Sequence, residues 1–387
     1  MRTRRTTAKR FHVMTVIGTR PEIIRLSCVM KRLDRMMRQS IVHTGQNYDY
    51  ELNGIFFKDL DLRKPDHFLA AAGRTPAETI GKVIARADAV LEQERPDALL
   101  VLGDTNSCLA VIPAKRRRIP VFHMEAGNRC FDQRVPEEMN RRIVDHVSDV
   151  NLCYTEHARN HLLREGLPAE RVIKTGSPMK EVLDAHRVGI EASRVQDCLG
   201  VVRNKYLVAS IHREENVDGV ESLRRILAAL NGLVARYDMP MIFSTHPRTK
   251  RRLGASGVLL DPRIRRLPPL GFLDYNALQR GAFCVLSDSG TITEEASLLG
   301  FPAVMVREAH ERPEGQEQGA IVLGGLNPGR LQQAVEMTRH QFDTVGPLRV
   351  PTDYLVDQVS WTVAKIILGY TDLVKRTVWF QGSPDKP

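Results

Sequence analysis

The amino-acid sequence predicts an α/β protein built from two doubly wound domains, each with a parallel sheet. Three observations carry this. At 387 residues the chain exceeds the roughly 250–300 residues at which one hydrophobic core stops growing, which favours two domains over a single large barrel. Short runs rich in Val, Ile and Leu recur, each ending in a turn with Gly, Asp, Thr or His and followed by a longer amphipathic stretch. That is the pattern of βα units. The runs are continuous rather than alternating, as expected of strands covered on both faces.

Taken in order, the first series of strands is HVMTVI (12–17), SIVHT (40–44), DALLVL (97–102), PVFHM (120–124), VNLCYT (150–155) and RVIKT (171–175). A polar, helix-like segment follows at 180–203, and the series restarts with KYLVASI (205–211), PMIFST (240–245), IRRLPPL (264–270), FCVLS (283–287) and PAVMV (302–306). The restart puts the boundary near 186–203, giving an N-terminal domain over 11–186 and a C-terminal domain over 187–354. The segment YLVDQVSWTVAKIILGY carries a helical apolar stripe, so a packing helix over 355–380 is expected to cross back onto the first domain. In doubly wound sheets ligands bind at the carboxyl ends of the strands, so a crevice faced by both domains is the expected ligand site.

The net charge is +10, and half of it sits in residues 1–10, where Arg2, Arg4, Arg5, Lys9 and Arg10 form a basic tail expected to be disordered. No aromatic-interleaved basic motif, helix-turn-helix signature or zinc-finger spacing is present, so anionic nucleotide substrates account for the remaining charge better than nucleic acid. The six cysteines are scattered without CxxC pairs, against a disulfide framework or a zinc site. No apolar run approaches the ~20 residues that cross a bilayer, and the start lacks a cleavage pattern. A soluble, cytoplasmic protein without membrane insertion is expected. The sequence holds no GxxxxGK[ST], no GxGxxG after the first strand, no GxSxG and no HExxH, which removes support for kinase, dehydrogenase, esterase and zincin readings.

The candidate chemistry lies just after the strands. Gly18-Thr19-Arg20-Pro21-Glu22 reads equally as a turn whose free N–H groups and arginine receive a phosphate, or as a plain strand-to-helix turn. Ser287-Asp288-Ser289-Gly290-Thr291-Ile292-Thr293-Glu294-Glu295 opens a helix, with Thr291 and Glu294 spaced as a capping box. Its amides and hydroxyls suit a pyrophosphate, and Glu295 could accept from ribose hydroxyls; the plainer reading is a well-capped helix with no ligand. Asp104 in LGDTNS and Glu125 in FHMEAG follow consecutive strands, where clustered acids raise one another's pKa and can move protons near neutral pH. Glu137 and Glu138 follow Pro136 and read either as members of that cluster or as a solvated helix start. His123 reads either as a member of that cluster or as a satisfied core histidine, the more common fate of such a residue. His212 with Arg213, His246 with Arg248, and the loop His310–Gly315 with Arg312 complete the polar set.

In order, GTRPE (18–22), HTGQNYD (43–49), GDTNS (103–107), HMEAG (123–127), PEEMNRR (136–142), SDSG (287–290) and ERPEG (311–315) resemble the non-hydrolysing UDP-N-acetylglucosamine 2-epimerases. The resemblance runs from about residue 12 to 378. It implies two Rossmann-like domains as in GT-B glycosyltransferases, a homodimer, and a UDP-sugar substrate processed without metal or nicotinamide by loss and return of UDP. It places Asp104, Glu125, Glu137 and His212 on catalytic positions. It puts Arg20, His246, Ser289, Gly290 and Glu295 on UDP-contacting positions, with Thr291 and Arg312 completing the substrate-binding set. Three departures stand out: Arg25 where the family carries lysine, Thr291 where it carries a second glycine, and Gln46-Asn47-Tyr48-Asp49 in place of a Gln-His-Arg-Glu run tied to allosteric UDP-GlcNAc binding. With SIHREEN, REAHERPEG and KRTVW (375–379), these resemble the branch that forms UDP-N-acetyl-L-fucosamine.

Overall fold

The computed structural model describes residues 10–46, 50–245, 247–347 and 349–381. The chain folds as two compact units, each a doubly wound parallel α/β sheet. The first sheet contains β1 (His12–Ile17), β2 (Arg38–His43), β3 (His67–Phe68), β4 (Ala98–Leu102), β5 (Val121–Met124), β6 (Val150–Cys153) and β7 (Val172–Lys174) in the order β3-β2-β1-β4-β5-β6-β7. The second contains β8 (Leu207–Ser210), β9 (Met241–Ser244), β10 (Ile264–Leu267), β11 (Cys284–Ser287), β12 (Ala303–Met305) and β13 (Val322–Leu323) in the order β10-β9-β8-β11-β12-β13. Both sheets therefore reverse direction beside their first strand, between β1 and β4 and between β8 and β11. Those are the topological switch points at which such sheets hold ligands.

The strands are continuous apolar runs because helices cover both faces. In the second unit one core layer joins β8, β9 and β11 to the helices Val220–Tyr237 and Pro328–Val345, and another lies against Phe272–Arg280 and Ile292–Leu299. In the first unit β1 and β4 pack on the helix Pro76–Glu94. The helix Val359–Trp379 packs on the helix Arg20–Met36. No helix among the described residues is long and apolar enough to cross a membrane.

The structure refines several expectations. Most strands stop one to three residues short of the apolar runs, because flanking residues such as Tyr154, Thr155 and Ile211 remain buried after the ladder ends. The two-residue edge strands β3 and β13 were not anticipated. The segment 180–203 resolves into the short helices Met179–Ala185, Arg187–Glu191 and Val195–Leu199. The first unit ends at Pro178 rather than 186, since Met179–Ala185 packs on the second unit's helix Ile292–Leu299. Residues 128–138 also belong to the second unit, where Asp132 and Arg134 lie in the field of Arg307 and Glu308. The basic tail, apart from Arg10, lies outside the described residues.

Candidate active site

In the first unit, β1 runs into Gly18, where only glycine fits: an added Cβ would lie 2.1 Å from both Thr44 Oγ1 and Ser107 Oγ. Thr19 caps the helix Arg20–Met36, with Arg20 at its first position. The Gly18 and Thr19 amides do not await an anion. Each donates to Glu22 Oε2 at 2.6 Å, while Thr105 Oγ1 donates to Glu22 Oε1 at 2.6 Å. The phosphate reading of this turn thus loses these two amides, because a carboxylate from the same helix turn satisfies them. Glu22 is buried, and burial pushes its carboxyl up to about 7 against the hydrogen bonds from Thr105, Gly18 and Thr19. The Arg20 guanidinium remains half-buried, 5.8 Å from the centre of the Phe56 ring.

Beyond β4 and β5, which pair directly, stand Asp104 and Glu125. Asp104 Oδ2 accepts from Arg141 Nε at 2.7 Å, and Asn140 Nδ2 donates to its backbone carbonyl at 2.9 Å. Glu125 sits in the left-handed region at φ 63°, a strained setting for a non-glycine residue that recurs at functional sites. Its carboxylate pairs with Arg25 Nη1, and Arg25 lies 5.9 Å from the Tyr154 ring centre. The acids do gather: behind burial, the charges of Glu22, Asp104 and Glu125 help push the buried Cys108 thiol up. Asp104 and Glu125 each also pair directly with an arginine, Arg141 and Arg25. Of the two readings of His123 the structure favours the core histidine: it is buried, with Nε2 2.8 Å from Gly103 O and Nδ1 2.9 Å from Asp145 Oδ1.

Glu137 and Glu138 open the helix Pro136–Val147. Glu138 is no solvated helix start: it is fully buried and accepts from the Cys130 amide at 3.1 Å. Glu137 is half-buried and contributes to the raised pKa of Arg213.

In the second unit the groups follow β8 and β11, which flank its switch point. Asp288 accepts from the backbone amides of His212 and Arg213, and its Oδ1 lies 3.1 Å from His212 Nδ1. Burial acts to raise the Asp288 pKa, but His212 and the donated hydrogen bonds hold it below the usual carboxylate range. Ser289, Gly290 and Thr291 form the turn into the helix Ile292–Leu299. A Cβ on Gly290 would lie 2.6 Å from Glu311 Oε1, so a larger residue there would displace the Glu311 carboxylate. The expected Thr291–Glu294 capping box does not form. Ser289 Oγ instead accepts from the Thr291 amide at 3.3 Å, and Glu294 is turned inward to Arg312 Nη1 at 3.4 Å. Arg312 is correspondingly buried. Glu295, nearly buried, accepts from Gln279 Nε2 at 3.1 Å. His246 lies outside the described residues, as do Asn47, Tyr48 and Asp49. Among the described residues no group of three or more His, Cys, Asp or Glu side chains is arranged to hold a metal ion.

The groups that sequence reasoning left without roles are the partners: Glu22, Arg141, Asp145, Asp288 and Glu311. Their motifs were visible, but the pairings span the chain.

Comparison with known proteins decides the family. The family model described as UDP-N-acetylglucosamine 2-epimerase matches residues 31–368. The chain belongs to the non-hydrolysing UDP-N-acetylglucosamine 2-epimerase family. A solved UDP-N-acetylglucosamine 2-epimerase from Rickettsia bellii is similar at 49% identity and TM-score 0.89, covering 96% of this chain and all of that one. The Methanocaldococcus jannaschii enzyme, solved with UDP-GlcNAc and UDP, aligns at 33% identity and TM-score 0.87, covering 92% and 99% of the two chains. A Pseudomonas aeruginosa UDP-2,3-diacetamido-2,3-dideoxy-D-glucuronate 2-epimerase is 34% identical over 319 residues, 81% of this chain and 88% of the relative. As a 2-epimerase family member the chain is an isomerase, and the switch-point groups of its two units are the candidates for that chemistry.

Proposed function

We propose that this 2-epimerase inverts C2 of a UDP-linked N-acetylated hexosamine by elimination and re-addition of UDP. The observation that carries the reading is the placement of Asp104 and Glu125 at the ends of adjacent strands, each on its own arginine. A base takes the C2 proton while the C1–O bond breaks and its electron pair leaves with UDP, giving a glycal-type intermediate. A proton then returns to the opposite face of C2, and a UDP oxygen adds back to C1. Asp104, Glu125, Glu137 and His212 supply the acid–base groups. Arg20, His246, Ser289, Gly290, Thr291, Glu295 and Arg312 hold the nucleotide, with backbone and hydroxyl donors opposing the diphosphate charge.

For the sugar, the reading is UDP-2-acetamido-2,6-dideoxy-L-talose to UDP-N-acetyl-L-fucosamine, supported by Arg25 against Glu125 and by Thr291 after Gly290. A UDP-GlcNAc/UDP-ManNAc reaction is the second reading, favoured by the R. bellii and M. jannaschii relatives. The enzyme is proposed to act as a cytoplasmic homodimer.

Proton NMR in D₂O, following the anomeric signals with each nucleotide separately and no acceptor, tests the reading. Deuterium uptake at C2 with retention of UDP linkage is expected, fastest with the 6-deoxy-L-talo nucleotide. Free sugar and UDP as products would indicate a hydrolysing enzyme. No exchange with any UDP-N-acetyl-hexosamine would sink epimerisation and leave a glycosyltransferase of the same fold.

A further inference from the structure

We propose that Asp288 is the positioning residue for His212, fixing its imidazole in the tautomer protonated on Nδ1 and leaving Nε2 to exchange the proton. The inference rests on the acid–base role proposed for His212. Asp288 is fully buried at the end of β11, beside the end of β8, from which His212 follows. Its carboxylate is surrounded by donors: the His212 amide at 3.0 and 3.1 Å, the Arg213 amide at 2.9 Å and Asn216 Nδ2 at 3.0 Å. Asn216 is itself tied to the Val306 carbonyl at 2.9 Å, so the clamp spans the strand ends of the switch point. An acceptor-only carboxylate 3.1 Å from His212 Nδ1 is satisfied when that nitrogen carries the proton. Nε2 makes no hydrogen bond among the described residues, and the His212 side chain is 37% exposed, so this is the nitrogen a substrate reaches. The same carboxylate thus sets the backbone, the ring orientation and the tautomer.

The tautomer can be read directly by ¹⁵N NMR of histidine-labelled, ligand-free enzyme at alkaline pH, with His212 assigned by its loss in H212Q. The expected spectrum shows Nδ1 protonated and Nε2 unprotonated. In D288N, where the amide can donate to the ring, the expected tautomer is reversed, and kcat falls roughly 10²–10⁴-fold while KM stays within about threefold. N216A keeps Asp288 against the imidazole and is expected to retain the Nδ1–H tautomer. A wild-type His212 protonated on Nε2, or a folded D288N enzyme that keeps its kcat, overturns the proposal. The wild-type spectrum decides the matter even if D288N fails to fold. Because that spectrum needs no substrate, failure of the epimerase reading shows separately, as absence of turnover in the wild type.

Discussion

Glu22 shows how a single side chain can serve the site without facing it. Its carboxylate joins the turn after β1 to Thr105 in the loop that carries Asp104, and burial pushes it up to about 7. An acid whose folded pKa lies above its unfolded value favours the folded state at low pH. The native protein then holds a proton that the unfolded chain has released, so stability falls as pH rises from the ordinary carboxyl value of 4.5 through about 7. Converted, that shift is worth roughly 3 kcal/mol. Glu22→Gln keeps an acceptor for the Gly18 and Thr19 amides but cannot titrate, so its urea-unfolding free energy should lose this slope between pH 5 and 7.5. An unchanged slope in the variant would show that Glu22 remains ionised throughout, as the hydrogen bonds it accepts from Gly18, Thr19 and Thr105 would by themselves favour.

Helix beginnings separate capping that stabilises from a turn kept for another purpose. Thr75 caps the helix Pro76–Glu94 by accepting from the Glu78 amide at 3.1 Å, and Thr75→Ala should cost about 1 kcal/mol in urea unfolding. Thr291 occupies the same position before Ile292–Leu299 without a side-chain cap, so Thr291→Ala should cost less than about 0.5 kcal/mol and should instead raise KM. Equal losses of stability would assign Thr291 a plain capping role. The contrast also marks what the sequence discloses. The inner strands were legible because burial on both faces demands continuous apolar runs, whereas β3 and β13 are two-residue edges with no such demand. The motifs after β1, β4, β5, β8 and β11 were legible because turns at strand ends have their own chemistry. Their partners were not: Arg25 reaches Glu125, Arg141 reaches Asp104 and Asp288 reaches His212 across 100, 37 and 76 residues. Only the folded sheet brings such residues together, and Glu294 illustrates the cost of judging by spacing alone, since Arg312 draws it away from the cap that its spacing suggested.

Across the whole chain, the first unit is completed by residues beginning at Asp357, after the second unit has been built. Within the helix Val359–Trp379, Val359, Val363, Ile367 and Val374 are fully buried. At about 1.5–3 kcal/mol for each such side chain, their burial is worth on the order of 6–12 kcal/mol, comparable with the ~5–15 kcal/mol that holds an entire domain folded. Arg32 lies 3.9 Å from the Trp361 ring centre and Lys115 5.3 Å from that of Trp379, so both ends of the helix meet first-unit cations. A chain ending at Val356 should therefore lose the folded first unit while keeping the second, with a protease-resistant core confined to the second unit and reduced helical circular dichroism. The two tryptophans of the sequence, Trp361 and Trp379, both lie in this helix, so in the 387-residue chain tryptophan emission reports on the first unit while far-ultraviolet circular dichroism reports on both. Urea unfolding of the full chain should give an emission transition that matches the part of the dichroism change missing from the shortened chain. If the shortened chain keeps the full dichroism signal and the same unfolding transitions, the helix is dispensable and the burial argument fails.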